Sequence, residues 1–196
     1  FEILQLPVPS SAAYINFDRA LLNKTSLANS AVSRVLQDPR PKVVVHAGAS
    51  KFYKKWPVSH FVELCRMLLS YDFVVILIGH GRDDEQINLN IVNSLGEHSA
   101  CHNFNGQLDL PMLASLIAHC QLMVGNDSGP SHLGSALGVP GVVIFGPTEI
   151  EIWRPLGEKT RVLSNKAVCR SDCSRQHCDL GYACLQGISA QRVYLE

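Results

Sequence analysis

The residues best suited to carry chemistry lie in residues 122–140, where a strand, a tight turn and the start of a helix follow one another. The apolar run 122–125 ends in Asn-Asp-Ser-Gly-Pro, and small residues then alternate with leucines as in a short buried helix. A helix N-terminus presents unpaired backbone N–H groups and about half a positive charge. Gly129 would let an anion approach the backbone, and Ser128 offers a hydroxyl. The turn therefore predicts a phosphate site, with capping of the helix by Ser128 as the alternative.

Two further side chains flank this turn. Asp127 ends the predicted strand, and open α/β sheets bind their ligands at the carboxyl ends of the strands. Its carboxylate could therefore accept hydrogen bonds from sugar hydroxyls, or it could cap the helix. His132 lies in the first helical turn, where it is either a partner for phosphate or a packed surface histidine.

Strand-like and helix-like segments alternate from residue 42 onward. Continuous apolar runs of strand length are typical of parallel strands covered on both faces, and the segments between them have helical periodicity. This alternation predicts an α/β fold, a Rossmann-like doubly wound parallel sheet with right-handed crossovers. The predicted strands are 42–46, 73–78, 100–104, 122–125, 141–145 and 160–163.

The chain divides into three predicted parts. Residues 42–165 form the Rossmann-like domain. Residues 1–41 have a Pro-spaced opening and end in the linker-like Asp-Pro-Arg-Pro, so we expect an interdomain segment or the remnant of a preceding domain. Residues 166–196 form a Cys-rich tail and a C-terminal helix.

The composition argues against two broad classes of protein. The 17 basic and 17 acidic residues cancel, so the chain lacks the positive charge typical of a nucleic-acid binder. Its apolar runs have the length of strands and are too short to span a membrane. The sequence also shows no basic region followed by an apolar segment, as a secretory signal peptide would. Seven cysteines, several of them in core-like segments, indicate free thiols in a reducing compartment. We therefore expect a soluble, cytoplasmic protein that binds no nucleic acid.

The Gly-His-Gly run at residues 79–81 follows a strand, as a dinucleotide-binding fingerprint would. The third glycine of that fingerprint is missing, because Asp84 stands in its place. Acidic residues also crowd the position that a pyrophosphate would need. The motif therefore argues against nicotinamide binding.

The tail contains four closely spaced cysteines, which invite a structural zinc site. No Cys-x2-Cys pair is present among them, however. Free thiols or an oxidation-sensitive loop are the alternatives, and no other metal site is predicted. The four candidate zinc ligands are Cys169, Cys173, Cys178 and Cys184.

Several motifs together resemble a single family. The most specific are Asp-Ser-Gly-Pro-Ser-His at 127–132, Phe-Gly-Pro-Thr at 145–148 and Lys-Lys-Trp-Pro at 54–57. They resemble the carboxyl-terminal half of the lipopolysaccharide heptosyltransferases, the ADP-heptose-dependent enzymes of glycosyltransferase family 9. These are inverting glycosyltransferases with the two-domain GT-B architecture. The resemblance covers about residues 42–196.

The resemblance implies that this chain is the donor-binding part of an enzyme that transfers heptose from ADP-heptose to the lipopolysaccharide inner core. In that family the amino-terminal half binds the acceptor and carries the carboxylate general base. Residues 1–41 are too few to supply that half, so we expect no catalytic residue here and expect this chain alone to bind without turnover. No cofactor is expected to be required. Peripheral association with the cytoplasmic face of the inner membrane is compatible with such an acceptor.

The family's donor-binding roles fall on identifiable positions of this chain. By resemblance, Ser128 and Gly129 hold the diphosphate and Asp127 lies near the donor-sugar hydroxyls. The family lysine before Trp-Pro falls on Lys54, whose ammonium would neutralise the leaving diphosphate. Lys51 and Lys55 are its alternatives, and a solvated basic loop is the non-functional interpretation.

The nucleoside positions follow from the same resemblance. Glu85 is our choice for the ribose hydroxyls, with Asp83 and Asp84 as alternatives and helix capping as the structural interpretation. Adenine is expected near Gly106. The family histidine falls on His132, whose protonation would be coupled to donor binding because a helix N-terminus disfavours a cation.

Two alternatives to this function stay open. The first keeps the fold but uses another nucleotide sugar or another glycan acceptor, and donor preference would distinguish it. The second is a non-catalytic nucleotide- or zinc-binding module, which bound zinc without nucleotide affinity would favour.

Overall fold

The computed structural model describes residues 18, 22, 29–169, 173 and 175–196. Short 3₁₀-helices occupy Phe52–Lys54 and Lys166–Val168. The strands of the described part are β1 (Lys42–His46), β2 (Val74–Leu77), β3 (Cys101–Asn103), β4 (Leu122–Asn126), β5 (Gly141–Phe145) and β6 (Thr160–Ser164). Its α-helices are α1 (Ser30–Gln37), α2 (Val58–Ser70), α3 (Arg82–Leu95), α4 (Leu110–Ala118), α5 (Gly129–Ala136), α6 (Ile150–Trp153), α7 (Ala183–Gln186) and α8 (Ala190–Tyr194).

These strands form one parallel sheet in the order β3-β2-β1-β4-β5-β6. In its register, Val43 of β1 pairs with Val75 on one side and with Leu122 on the other. The chain builds outward from β1 to β3 and then returns to place β4 on the opposite side of β1. The loops that leave β1 and β4 therefore diverge, and a crevice opens at this switch point. The predicted α/β fold with a doubly wound parallel sheet is confirmed.

Helices cover both faces of the sheet. Val43 and Val45 of β1 belong to one buried cluster with Phe61 of α2 and Ile91 of α3. Val44, between them, belongs to a second cluster with residues of α1 and α4. Because β1 is buried on both faces, its sequence is a continuous apolar run rather than an alternating one.

Helix α1 lies within residues 1–41, the part predicted to be an interdomain segment. Its Val32 and Val35 are buried in the second cluster, and the side chain of Asn29 caps the helix. This helix therefore contributes to the core of the sheet domain. Residues 1–17, 19–21 and 23–28, which also belong to that predicted segment, lie outside the described residues.

The C-terminal tail also packs on the domain. Leu185, Ile188 and Val193 are buried in the first cluster, where α8 lies against α2. Trp56 connects this tail to the loop after β1, because its Nε1–H donates to the Ile188 carbonyl at 2.8 Å. The Trp56 ring also packs edge-on against Phe61, with 4.7 Å between ring centres.

Trp56→Phe keeps an aromatic ring in the core but removes the N–H that the Ile188 carbonyl accepts. We expect the free energy of unfolding to fall by about 1–3 kcal/mol, because a buried acceptor loses its partner. Urea unfolding followed by circular dichroism measures this change. Trp153→Phe is the matched control, since Trp153 is 52% exposed. Equal losses in the two variants would contradict the role assigned to Trp56.

Candidate functional site

A cleft of about 570 Å³ opens at the switch point between β1 and β4. His46, the last residue of β1, and the turn residues Ser128 and Gly129 line one side of it. Phe104 and Leu108, which follow β3, add an apolar wall. The cleft therefore combines a polar end at the strand termini with an apolar end, as a nucleotide requires.

The buried side chain of Asn126 holds together the two loops that form the polar end. Its Oδ1 accepts from the Trp56 amide at 3.0 Å. Its Nδ2 donates to the carbonyls of Ala47 at 2.8 Å and Gly48 at 3.2 Å. Sequence reasoning missed this role, although a polar residue that ends an apolar strand was an available signal.

Asp127 and Lys54 form a buried ion pair beside the turn. Lys54 Nζ lies 2.8 Å from Asp127 Oδ2, and the Asp127 side chain is 4% exposed. The hydroxyl of Thr148, which follows β5, donates to the same oxygen at 2.9 Å. Three segments distant in the sequence therefore meet at the Asp127 carboxylate. The sequence did not predict a role for Thr148.

Lys54 is also the candidate lysine whose ammonium reaches the turn. The 3₁₀-helix after β1 carries it there, and its Nζ lies 5.9 Å from the ring centre of Trp153. Lys55 Nζ instead lies 3.5 Å from the exposed carboxylate of Asp83, and the side chain of Lys51 is exposed.

Ser128 occupies the N-cap position of α5, but its side chain forms no capping hydrogen bond. Its Oγ lies 2.9 Å from His46 Nδ1 instead. The amides of Ser131 and His132 donate to the Ser128 carbonyl, whereas a methyl group added at Gly129 would meet no atom within 4 Å. The start of this helix therefore has open space beside its first residue, where an anion could approach the backbone.

Behind Ser128, the imidazole of His46 lies between the serine and Asp84. His46 Nε2 is 3.4 Å from Asp84 Oδ2, and the His46 side chain is 7% exposed. Burial raises the pKa of Asp84, but the hydrogen bonds from His46 and from the His80 amide outweigh it. The resulting pKa lies below the ordinary aspartate value, so Asp84 is ionised at neutral pH.

Two glycines make room for Asp84. A methyl group at Gly48 would lie 2.0 Å from Asp84 Oδ1, and one at Gly79 would lie 2.7 Å from Asp84 Cβ. The small residues after β1 and β2 therefore let a carboxylate from α3 reach His46. This contact gives a physical reason for the spacing between Gly79 and Asp84, where Asp84 replaces the third glycine of a dinucleotide-binding fingerprint.

The remaining predicted site residues, Glu85, Gly106 and His132, are not among the residues that line the cleft. Glu85 is exposed and is not among the lining residues, whereas its alternatives Asp83 and Asp84 both line the cleft. Gly106 is exposed in a left-handed conformation (φ 68°) between Phe104 and Leu108, and its amide donates to the Gly79 carbonyl. His132 is exposed on α5, away from the lining.

The family model for glycosyltransferase family 9 (heptosyltransferase) matches residues 1–183. The chain belongs to glycosyltransferase family 9. The match includes residues 1–41, which the resemblance noted from the sequence did not cover.

Curated members of family 9 are similar to this chain over part of their length. This chain is 36% identical over 111 residues to lipopolysaccharide heptosyltransferase 2 of Salmonella typhimurium. The aligned region covers 56% of this chain and 32% of that protein. This chain is 32% identical over 175 residues to lipooligosaccharide heptosyltransferase 2 of Haemophilus ducreyi, covering 83% of this chain and 49% of that protein. The chain thus spans half or less of the length of these relatives.

A solved family 9 structure has the same fold. The structure of E. coli ADP-heptose lipopolysaccharide heptosyltransferase II matches with a TM-score of 0.78 at 28% identity. The match covers 97% of this chain and 54% of the E. coli chain. The described sheet domain is therefore similar to part of a GT-B heptosyltransferase.

The cysteines of this family 9 chain are free thiols in the described part. Burial and the adjacent Cys169 raise the pKa of Cys184 to about 12. Among the described residues, no group of three or more His, Cys, Asp or Glu side chains is arranged to hold a metal ion. The four candidate zinc ligands are themselves described, and zinc binding at Cys169, Cys173, Cys178 and Cys184 stays an untested prediction.

None of the described helices combines the length and the apolar character that crossing a bilayer requires.

Lys54→Met leaves the buried Asp127 carboxylate without its cation. We expect the free energy of unfolding to fall by roughly 3 kcal/mol, as when one partner of a buried pair is removed. Lys55→Met is the matched control, because Lys55 pairs with the exposed carboxylate of Asp83 and such surface pairs contribute about 0–1 kcal/mol. Thermal and urea unfolding measure both variants. If Lys54→Met were as stable as Lys55→Met, the buried pair would not have the importance assigned to it.

Proposed function

We propose that this chain is the donor-binding part of an inverting heptosyltransferase, with ADP-heptose bound in the switch-point cleft. The observation that carries the proposal is the open space beside Gly129, in a turn that also holds the Ser128 hydroxyl and the Asp127 carboxylate, whose Oδ2 is 2.8 Å from Lys54 Nζ. Membership of family 9 and the name of the E. coli relative, ADP-heptose lipopolysaccharide heptosyltransferase II, support this donor.

The diphosphate would lie against the turn at the start of α5. The Gly129 amide and the positive end of the helix dipole would face its oxygens. Lys54 has three ammonium hydrogens and uses one on Asp127, so the others can be donated to phosphate. As the glycosidic bond breaks, negative charge grows on the departing ADP, and these donors would stabilise it.

The heptose would lie beside Asp127. Lys54 and Thr148 both contact Oδ2 of this carboxylate, so Oδ1 is the oxygen that would accept from a sugar hydroxyl. The ion pair fixes the direction of the carboxylate before the sugar arrives. Such preorganisation lowers the cost of holding the donor in a reactive geometry.

The nucleoside would occupy the apolar end of the cleft. Phe104 and Leu108 offer a wall for adenine on either side of Gly106 in the sequence. For the ribose hydroxyls we now favour Asp83 over Glu85. Asp83 lines the cleft with a side chain that is 87% exposed, and the Asp84 carboxylate already accepts from the His80 amide and lies next to His46.

The acceptor and the general base would belong to a second, amino-terminal domain. Exposed apolar side chains beside Lys54 are suited to be covered by such a domain, since Phe52 is 59% and Trp153 52% exposed. The acceptor would be the lipopolysaccharide core, reached from the cytoplasmic face of the inner membrane. No metal is assigned to the donor site, where Lys54 and the α5 N-terminus supply the positive charge.

Isothermal titration of this chain with ADP, UDP, GDP and ADP-heptose tests the proposed donor. We expect ADP to bind more tightly than UDP or GDP, and the heptose to strengthen binding further through Asp127. Preference for another nucleotide would replace the donor while keeping the fold. Absence of binding by all four ligands would contradict the proposal for this chain.

Gly129→Val tests where the phosphate lies. A methyl group at Gly129 meets open space in the folded chain, so we expect stability to change little while ADP affinity falls at least tenfold, about 1.4 kcal/mol. Ser30→Val is the matched control, because Ser30 occupies the same first position of α1, away from the cleft. Unchanged ADP affinity in Gly129→Val would remove the diphosphate from this turn.

A further inference from the structure

The buried imidazole of His46 has no assigned role in donor binding, although it contacts the proposed phosphate ligand Ser128. Its Nδ1 lies 2.9 Å from Ser128 Oγ, and its Nε2 lies 3.4 Å from Asp84 Oδ2. Both partners come from elements distant in the sequence, and the ring is almost wholly shielded from solvent. The arrangement therefore connects the hydroxyl at the diphosphate site to a fixed negative charge behind it.

The hydrogen positions in this chain follow from the charge of Asp84. An ionised carboxylate can only accept, so a neutral His46 ring carries its hydrogen on Nε2 and directs it towards Asp84. Nδ1 then has a lone pair and can only accept, which makes Ser128 the donor in the 2.9 Å contact. In this state the one hydrogen of the Ser128 hydroxyl is already used.

A diphosphate also offers only acceptor oxygens. For Ser128 to donate to a phosphate, its hydroxyl hydrogen must turn away from His46 Nδ1. The lone pairs of Ser128 Oγ and of His46 Nδ1 would then face each other across 2.9 Å. Protonation of Nδ1 removes this conflict, because the ring then donates to Ser128 while the serine donates to phosphate. Asp84 would stabilise the resulting imidazolium from the other side.

We propose that His46 is a positioning residue that takes up a proton from solvent when the donor diphosphate binds, and so turns the Ser128 hydroxyl towards the phosphate. The proton returns to solvent when the nucleotide leaves. The inference rests on the proposed function, since it assumes a nucleoside diphosphate at this turn. It adds a titrating group behind the phosphate site that the family's motif residues do not include.

Other charged groups around the ring are consistent with this coupling. Beside Asp84 on α3, Asp83 lines the same cleft, and the charge of Lys55 acts on Asp84. His80 also lines the cleft and binds Asp84 through its backbone amide. The Lys54 ammonium is paired with Asp127, and the Asp84 carboxylate lies 3.4 Å from His46 Nε2.

Titration calorimetry with ADP-heptose in buffers of different ionisation enthalpy measures this proton directly. ADP-heptose is the suitable probe because its diphosphate is a diester with no group that titrates near neutral pH. The slope of observed enthalpy against buffer ionisation enthalpy should show uptake of about one proton per ligand at a pH where the free ring is neutral. Over the pH range in which this uptake is measured, the affinity should fall by up to about tenfold per pH unit as pH rises.

Three variants separate this role from a structural one. Ser128→Ala should bind ADP-heptose without proton uptake, because the hydroxyl that connects phosphate to the ring is gone. Asp84→Asn should also lose proton uptake, whereas its matched control Asp72→Asn, at an exposed carboxylate outside the cleft lining, should keep it. His46→Gln can contact both neighbours but cannot titrate, so its proton uptake per ligand should be about one lower than that of the wild-type chain.

The outcomes distinguish this inference from the proposed function. Binding by the wild-type chain with a slope of zero would overturn the role of His46 and leave the donor site intact. Proton uptake that persists in Ser128→Ala would also overturn it, because the proton would then not depend on the hydroxyl. Absence of any binding of ADP-heptose to the wild-type chain would overturn both.

Discussion

The buried amide of Asn126 is the interaction on which the site depends. β1 and β4 are neighbours in the sheet, but their loops leave in opposite directions, and Asn126 binds the backbone of the first loop from the end of the second strand. It thereby holds Gly48, which packs against Asp84, and Trp56, which follows Lys54 by two residues in the chain. The topology opens the crevice, and this side chain gives it a defined shape.

Two polar chains converge on the turn from opposite sides of that crevice. One runs from Thr148 through Asp127 to Lys54, and the other runs from Asp84 through His46 to Ser128. In both, a carboxylate stands behind a group that can carry positive charge. The surface offered to a diphosphate therefore consists of N–H and O–H donors and an ammonium, although two aspartates lie within the same site.

The fold could be predicted from the sequence because strands buried on both faces and amphipathic helices leave direct periodic signals. The turn at Asp127 and Ser128 could also be predicted, since a strand, a small-residue turn and a helix start are adjacent in the chain. The His46–Asp84 contact could not, because 38 positions separate the two residues and no local pattern joins them. Nor did periodicity reveal the burial of α1 in the core. The position of Asp83 and Glu85 on their helix could not show from the sequence alone which of them lines the cleft.

A crystal structure of this chain with ADP-heptose tests the central claim most directly. We predict a diphosphate oxygen within hydrogen-bonding distance of the Gly129 amide, about 2.7–3.2 Å, with the Lys54 ammonium beside it and adenine between Phe104 and Leu108. A nucleotide bound elsewhere, with the turn at the start of α5 unoccupied, would contradict the account. The position of the phosphate thus decides whether the switch-point cleft is the donor site.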